Sequence, residues 1–123
     1  MSVRGIRGAI TVQANERQQI LDASVKLMKK IVEANGIAPE DICSVLITVT
    51  QDLDAAFPAK SIRELEGWDY VPLMCSVEIP VQGGLERCIR FMVHVNTELK
   101  QSEMRHVFLG DAEKLRPDLA GKR

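Results

Sequence analysis

Residues 83–95 read GGLERCIRFMVHV, and their reading decides the fold. The paired glycines make a turn, and the run that follows has the composition of a β-strand. Inside that run sits Arg90, among Ile89, Phe91, Met92, Val93 and Val95. A guanidinium stays charged in a protein, so it cannot escape burial by losing a proton. Left unpaired at a strand centre, it would cost several kcal/mol. Arg90 must therefore face a carboxylate of the chain or a bound anion.

The chain around this stretch is punctuated clearly. Residues 3–12, VRGIRGAITV, mix β-branched residues with glycines and predict a strand open to close approach by another backbone or a ligand. Asn15, with Gln18 after it, predicts a helix N-cap. Through 16–36, Ile20, Ser24, Leu27 and Ile31 fall on one line and Leu21, Val25, Met28 and Val32 on the next. That is a broad apolar stripe at helical period, and Asn35-Gly36 is its stop. Pro39-Glu40-Asp41 predicts a helical turn. CSVLITVT at 43–50 predicts a strand covered on both faces. A short helix is expected over 58–65, opened by Pro58 and ended near Gly67. YVPLMCSVEI at 70–79 predicts a strand with a break or edge at Pro72. Residues 80–84 turn, 85–95 return antiparallel, and RHVFL at 105–109 forms a last short strand.

This order lacks a steady β-α alternation and predicts an α+β fold, a mixed sheet with one long and one short helix on one face. All of residues 1–123 are expected to form a single domain, since the length suits one modest core. Two helices cannot cover both faces of such a sheet, yet the 43–50 and 85–95 strands carry apolar residues on both sides. Further copies of the same chain are the simplest cover, with ligand clefts between subunits.

Composition narrows the function classes. Sixteen Lys and Arg against seventeen Asp and Glu give a net charge of −1. That balance opposes a nucleic-acid partner. No apolar run approaches a membrane span, and MSVRGIRGAI lacks a secretory apolar core. Three cysteines, Cys43, Cys75 and Cys88, include no close pair and point to a reducing, cytoplasmic setting. No CxxC, HxxxH, HExxH, P-loop, dinucleotide fingerprint or GxSxG occurs, so metal, nucleotide and nucleophile chemistry have no visible apparatus.

Four arginines remain in apolar or turn-rich settings: Arg7, Arg63, Arg90 and Arg116. Three have plain structural uses. Arg63 can pair with Glu64 or Glu66 on a solvated helix face, Arg116 can cap a helix end, and Arg7 can sit exposed between glycines. Glu78 is the internal candidate partner of Arg90. A short turn near residue 82 would set Cys75 opposite Arg90, whereas a longer loop would set Glu78 there. Period two puts Cys75 and Glu78 on opposite faces.

RGIRGA at 4–9, FPAKSIRELEGWDYVPLMC at 57–75, GGLERCIRFMVHV at 83–95, and RHVFL with LRPDL at 105–119 together resemble the AroH class of monofunctional chorismate mutases. The likeness spans nearly the whole chain. It implies a homotrimer whose sheets pack into a barrel-like centre, with active sites at the subunit interfaces. The implied reaction is the rearrangement of chorismate to prephenate, on the route to phenylalanine and tyrosine. An intramolecular [3,3] shift needs no nucleophile, metal or cofactor, which fits the missing motifs.

The resemblance also implies roles. Arg90 matches the arginine beside the ether oxygen, and Glu78 the acceptor of the ring hydroxyl's hydrogen bond. Arg7 matches a carboxylate binder. The stretch Met74, Cys75, Ser76 and Val77 would line the same end of the substrate. From an adjacent subunit, Phe57 would pack on the ligand while Lys60 and Arg63 add positive field. Leu115 and Arg116 match a segment that covers the site. Two positions depart from the family pattern: Phe108 stands where tyrosine is common, and Met74 where a smaller hydroxyl residue is common. Two other classes suit an arginine-lined site for a small acid: a trimeric imine deaminase, and a non-catalytic sensor of amino acids. The IRGA and LRPDL blocks argue against the deaminase.

Overall fold

The computed structural model describes residues 1–114. Strand β1 (Ser2–Thr11) leads into the long helix α1 (Arg17–Asn35), and a 3-10 turn at Pro39–Asp41 precedes β2 (Ile42–Val49). The short helix α2 (Ala59–Arg63) leads to β3 (Leu73–Val77), then β4 (Cys88–Thr97) and β5 (Val107–Leu109). The strands form one mixed sheet in the order β3-β2-β4-β1-β5. This is the α+β architecture expected from the element order.

The sheet has one packed face. Ile6 and Ile10 of β1, Val45, Ile47 and Val49 of β2, and Ile89, Phe91, Val93 and Val95 of β4 are buried against α1 and α2. The apolar stripe of α1 supplies Ile20, Leu27, Met28 and Ile31, all fully buried. Gly8 lies among them because α1 crosses close to the strand there. A Cβ at position 8 would meet Ile31 Cδ1 at 2.6 Å. The close approach at this glycine is thus made by helix side chains, and not by the backbone or ligand expected from the sequence.

Helix α1 ends as its sequence predicts: Gly36 adopts φ 58°, and its N–H turns back to the Glu33 carbonyl. The helix start differs from expectation. Glu16 is the N-cap and makes no side-chain cap. Asn15 is used elsewhere, donating to Asp54 Oδ1 at 2.7 Å and accepting from the backbone N–H groups of Asp54 and Ala55. A loop-to-loop tie satisfies that amide more completely than a cap would.

One expectation about the sheet is overturned. The 85–95 strand does not return against 70–79: β2 lies between β3 and β4, parallel to β3 and antiparallel to β4. The reason is the crossover. Helix α2 separates β2 from β3, and a strand-helix-strand unit brings its two strands side by side in parallel. The far side of β2 is then left for β4, so β3 becomes an edge, which suits Pro72 just before it.

Among the described residues the other sheet face carries no α-helix; a 3-10 helix at Gly110–Lys114 covers only one part of it, where Ala112 packs with Ala9, Cys88 and Phe108. Leu46 and Met74 are 46% and 66% exposed there, and Val3 at the start of β1 is 57% exposed. Among the described residues, no helix is long and apolar enough to cross a membrane.

Candidate functional site at the Arg90 cleft

Alternation along β4 sends Ile89, Phe91, Val93 and Val95 toward the helices. It sends Cys88, Arg90, Met92 and His94 to the uncovered face. Arg90 is flanked across the sheet by Thr48 of β2 and Ala9 of β1. It opens onto a cleft of roughly 570 Å³ whose walls are Thr50, Asp52, Glu78 and the 79–86 loop.

Glu78 arrives from the edge strand. β3 ends at Val77, and the Glu78 backbone N–H donates to the Val49 carbonyl at 2.8 Å, carrying the chain past the end of β2. Its carboxylate accepts a hydrogen bond from the Thr48 hydroxyl. The same Oε2 lies 3.5 Å from Arg90 Nε. The contact is an ion pair without hydrogen-bond geometry: Arg90 Nε is buried and has no hydrogen-bond partner. A buried donor left open beside a cleft is free to meet an acceptor that enters it.

The start of β4 is clipped in place. Asp52 accepts from the Arg87 N–H through both carboxylate oxygens, at 3.2 and 3.0 Å. It also accepts from the Thr50 hydroxyl at 2.5 Å, and that hydroxyl in turn accepts from the Cys88 N–H at 3.0 Å. Arg87 is held at φ 48°, a conformation few side chains adopt. Arg87 also ties down the residue that follows β1, donating its Nε–H to the Val12 carbonyl at 3.3 Å. On β1, the strand next to Arg90, the Arg7 backbone N–H donates to His106 Nδ1 at 2.9 Å. Behind the cleft, Cys88 packs with Ala9, Phe108 and Ala112. Burial pushes its thiol above the ordinary range, against the pull of the Arg90 guanidinium, which favours the thiolate.

The residues singled out from sequence divide accordingly. Arg90 and Glu78 meet. Arg7 shares their sheet face, with Met92 as its cross-strand partner on β4. Phe108, opposite Ala9 on β5, also lies on that face and is 5% exposed. Met74 and Ser76 point the same way from the edge strand, opposite Leu46 and Thr48. Cys75 and Val77 alternate to the other face, where Cys75 packs against the core. Neither register considered for Arg90 is realised, since its partner on β2 is Thr48. Phe57, Lys60 and Arg63 sit on the α2 side, outside this cleft. Phe57 is 76% exposed, and Lys60, rather than Arg63, pairs with Glu64, at 2.9 Å. Leu115 and Arg116 lie outside the described residues.

Sequence reasoning missed Thr48, Thr50 and Asp52. Alternation does place Thr48 on the outward face of β2, but nothing local shows that β2 stands between Glu78 and Arg90.

Comparison with known proteins bears on what this cleft does. The family model described as chorismate mutase type I matches residues 3–119. The chain is 48% identical over 120 residues to the chorismate mutase AroH of Bacillus subtilis (strain 168), covering 98% of this chain and 94% of the relative. It is 48% identical over 118 residues to the chorismate mutase AroH of Thermus thermophilus, covering 95% and 96% of the two chains. A solved chorismate mutase from Clostridium thermocellum superimposes with a TM-score of 0.86 at 47% identity, over 89% of this chain and 97% of that one.

Proposed function

The chain belongs to the type I chorismate mutase family, and from that premise we propose how its residues carry the isomerisation of chorismate to prephenate in aromatic amino-acid biosynthesis. In this reaction a C–O bond of the substrate breaks as a C–C bond forms, within one molecule. The protein's work is to hold the enolpyruvyl arm over the ring in reacting geometry and to meet the charge that grows on the ether oxygen.

Arg90 is the residue assigned to that oxygen. The single observation that carries this reading is its buried Nε, which opens on the cleft without a hydrogen-bond partner. A fixed guanidinium interacts more strongly with the transition state than with the substrate, because the oxygen becomes more negative as the bond stretches. Glu78, anchored at the same cleft by Thr48 and Val49, accepts the hydrogen bond of the ring hydroxyl. Arg7 binds a substrate carboxylate. Met74, Cys75, Ser76 and Val77 line the substrate along the edge strand, with Cys75 and Val77 contributing main chain.

Charge balance supports a site shared between copies of the chain. Within one chain the cleft sets Arg90 against Asp52, Glu78 and Glu86. A dicarboxylate needs more cations than that. In this reading Lys60 and Arg63 of an adjacent copy add them, and Phe57 packs on the ligand. The uncovered sheet face with Leu46, Met74 and Met92 packs at the centre of a homotrimer, in a barrel-like arrangement. One domain over residues 1–123, acting in the cytoplasm, completes the reading; its three cysteines are free thiols.

The test is direct: chorismate is mixed with purified protein, and loss of chorismate and gain of prephenate are followed together. Absence of prephenate from a folded sample would overturn the reading.

A further inference from the structure

We propose that Thr48 is a positioning residue for this reaction, holding the Glu78 carboxylate off Arg90 so that the guanidinium keeps an open donor for the ligand. The proposal rests on the chorismate mutase reading above. Thr48 lies mid-sheet, opposite Ser76 on β3 and Arg90 on β4. Its hydroxyl donates to Glu78 Oε2, the oxygen that faces Arg90.

The distances carry the argument. Oε2 stands 3.5 Å from Arg90 Nε, whereas a charge-assisted N–H···O bond closes to about 2.7–2.9 Å. An unrestrained glutamate this near an open, buried guanidinium N–H would close the gap, because that pairing is the strongest one on offer. Two restraints oppose closure. The Glu78 N–H is fixed on the Val49 carbonyl at 2.8 Å. The Thr48 hydroxyl tethers Oε2 by donating to it. If Glu78 closed fully on Arg90, the donor meant for the ether oxygen would already be consumed, and the pair would have to part before it could act on the transition state.

Thr48→Val removes the hydroxyl while keeping the shape and strand preference of the side chain. It is expected to lower kcat/KM on the order of tenfold, the scale of one hydrogen bond to a charged group, with the loss mainly in kcat. Thr48→Ser keeps the hydroxyl and should hold kcat/KM within about threefold of the native chain. In a Glu78→Ala background, Thr48→Val should cost nothing further, since the group it restrains is gone. The native protein's prephenate formation is the control that separates this proposal from the function itself. Denaturation curves report whether each variant folds, and Thr48→Ala replaces Thr48→Val if the valine chain does not. The proposal fails if the hydroxyl-free variant matches the native rate. It fails equally if the serine variant falls as far as the hydroxyl-free one, or if the loss persists undiminished without Glu78.

Discussion

Arg90 and Glu78 form an ion pair at 3.5 Å although β3 and β4 are not neighbours in the sheet. Glu78 reaches Arg90 across the end of the intervening strand β2, over Thr48. The pair is part-exposed, with side chains 33% and 22% accessible, so its net contribution to stability is small. It sets a fixed cation and an acceptor side by side at one cleft.

Removal of the cation should be the most damaging single change. Arg90→Ala is expected to lower kcat by roughly 10²-fold or more, the scale for losing a donor to developing charge. Steady-state kinetics on the folded variant give the answer. Near-native turnover would refute the role assigned to Arg90.

Phe108 is a place where binding can be improved. It packs with Ala9 and Cys88 on the face that carries Arg90. Phe108→Tyr adds a hydroxyl at that point and should lower KM about fivefold, the worth of one hydrogen bond, with kcat little changed. A KM that stays level or rises would show that the hydroxyl does not reach the substrate.

Packing against α1 should tolerate no bulk at Gly8. A Cβ there already meets Ile31 Cδ1 at 2.6 Å and Leu27 Cδ1 at 3.3 Å. Gly8→Val is expected to destabilise the fold by about 1–3 kcal/mol, the usual range for overpacking. Urea denaturation measures this, and an unchanged midpoint would mean that α1 moves aside freely.

Cys88 should make stability fall at alkaline pH. Burial raises its thiol pKa in the folded chain. The folded state therefore holds the proton more tightly than the unfolded state does. The stabilisation is complete below the unfolded thiol pKa and is lost as pH rises through the folded one. Urea midpoints compared between pH 7 and pH 10 should drop more for the native chain than for Cys88→Ala. Equal drops would show that the thiol titrates alike in both states.

Much of the fold is legible in local signals. The stripe of α1 and its Gly36 stop, the turn at Pro39, the alternation of β4 and the Pro72 boundary each follow from side-chain chemistry acting within a few residues. The failures have a common origin. Asn15 was expected to cap α1 and instead ties to Asp54, a residue far along the chain. The 85–95 strand was expected to pair with 70–79, its neighbour in sequence, and pairs with β2 and β1.

From the residues alone came the element order, the sheet faces and an arginine that must meet a negative group, together with the family likeness that named the reaction. Strand neighbours came only from the tertiary structure. Side-chain alternation assigns each residue to a face, but it carries no information about which strand lies alongside. That choice is made by the α2 crossover and by burial summed over the whole sheet. It set Thr48 between Glu78 and Arg90 and turned Cys75 toward the core.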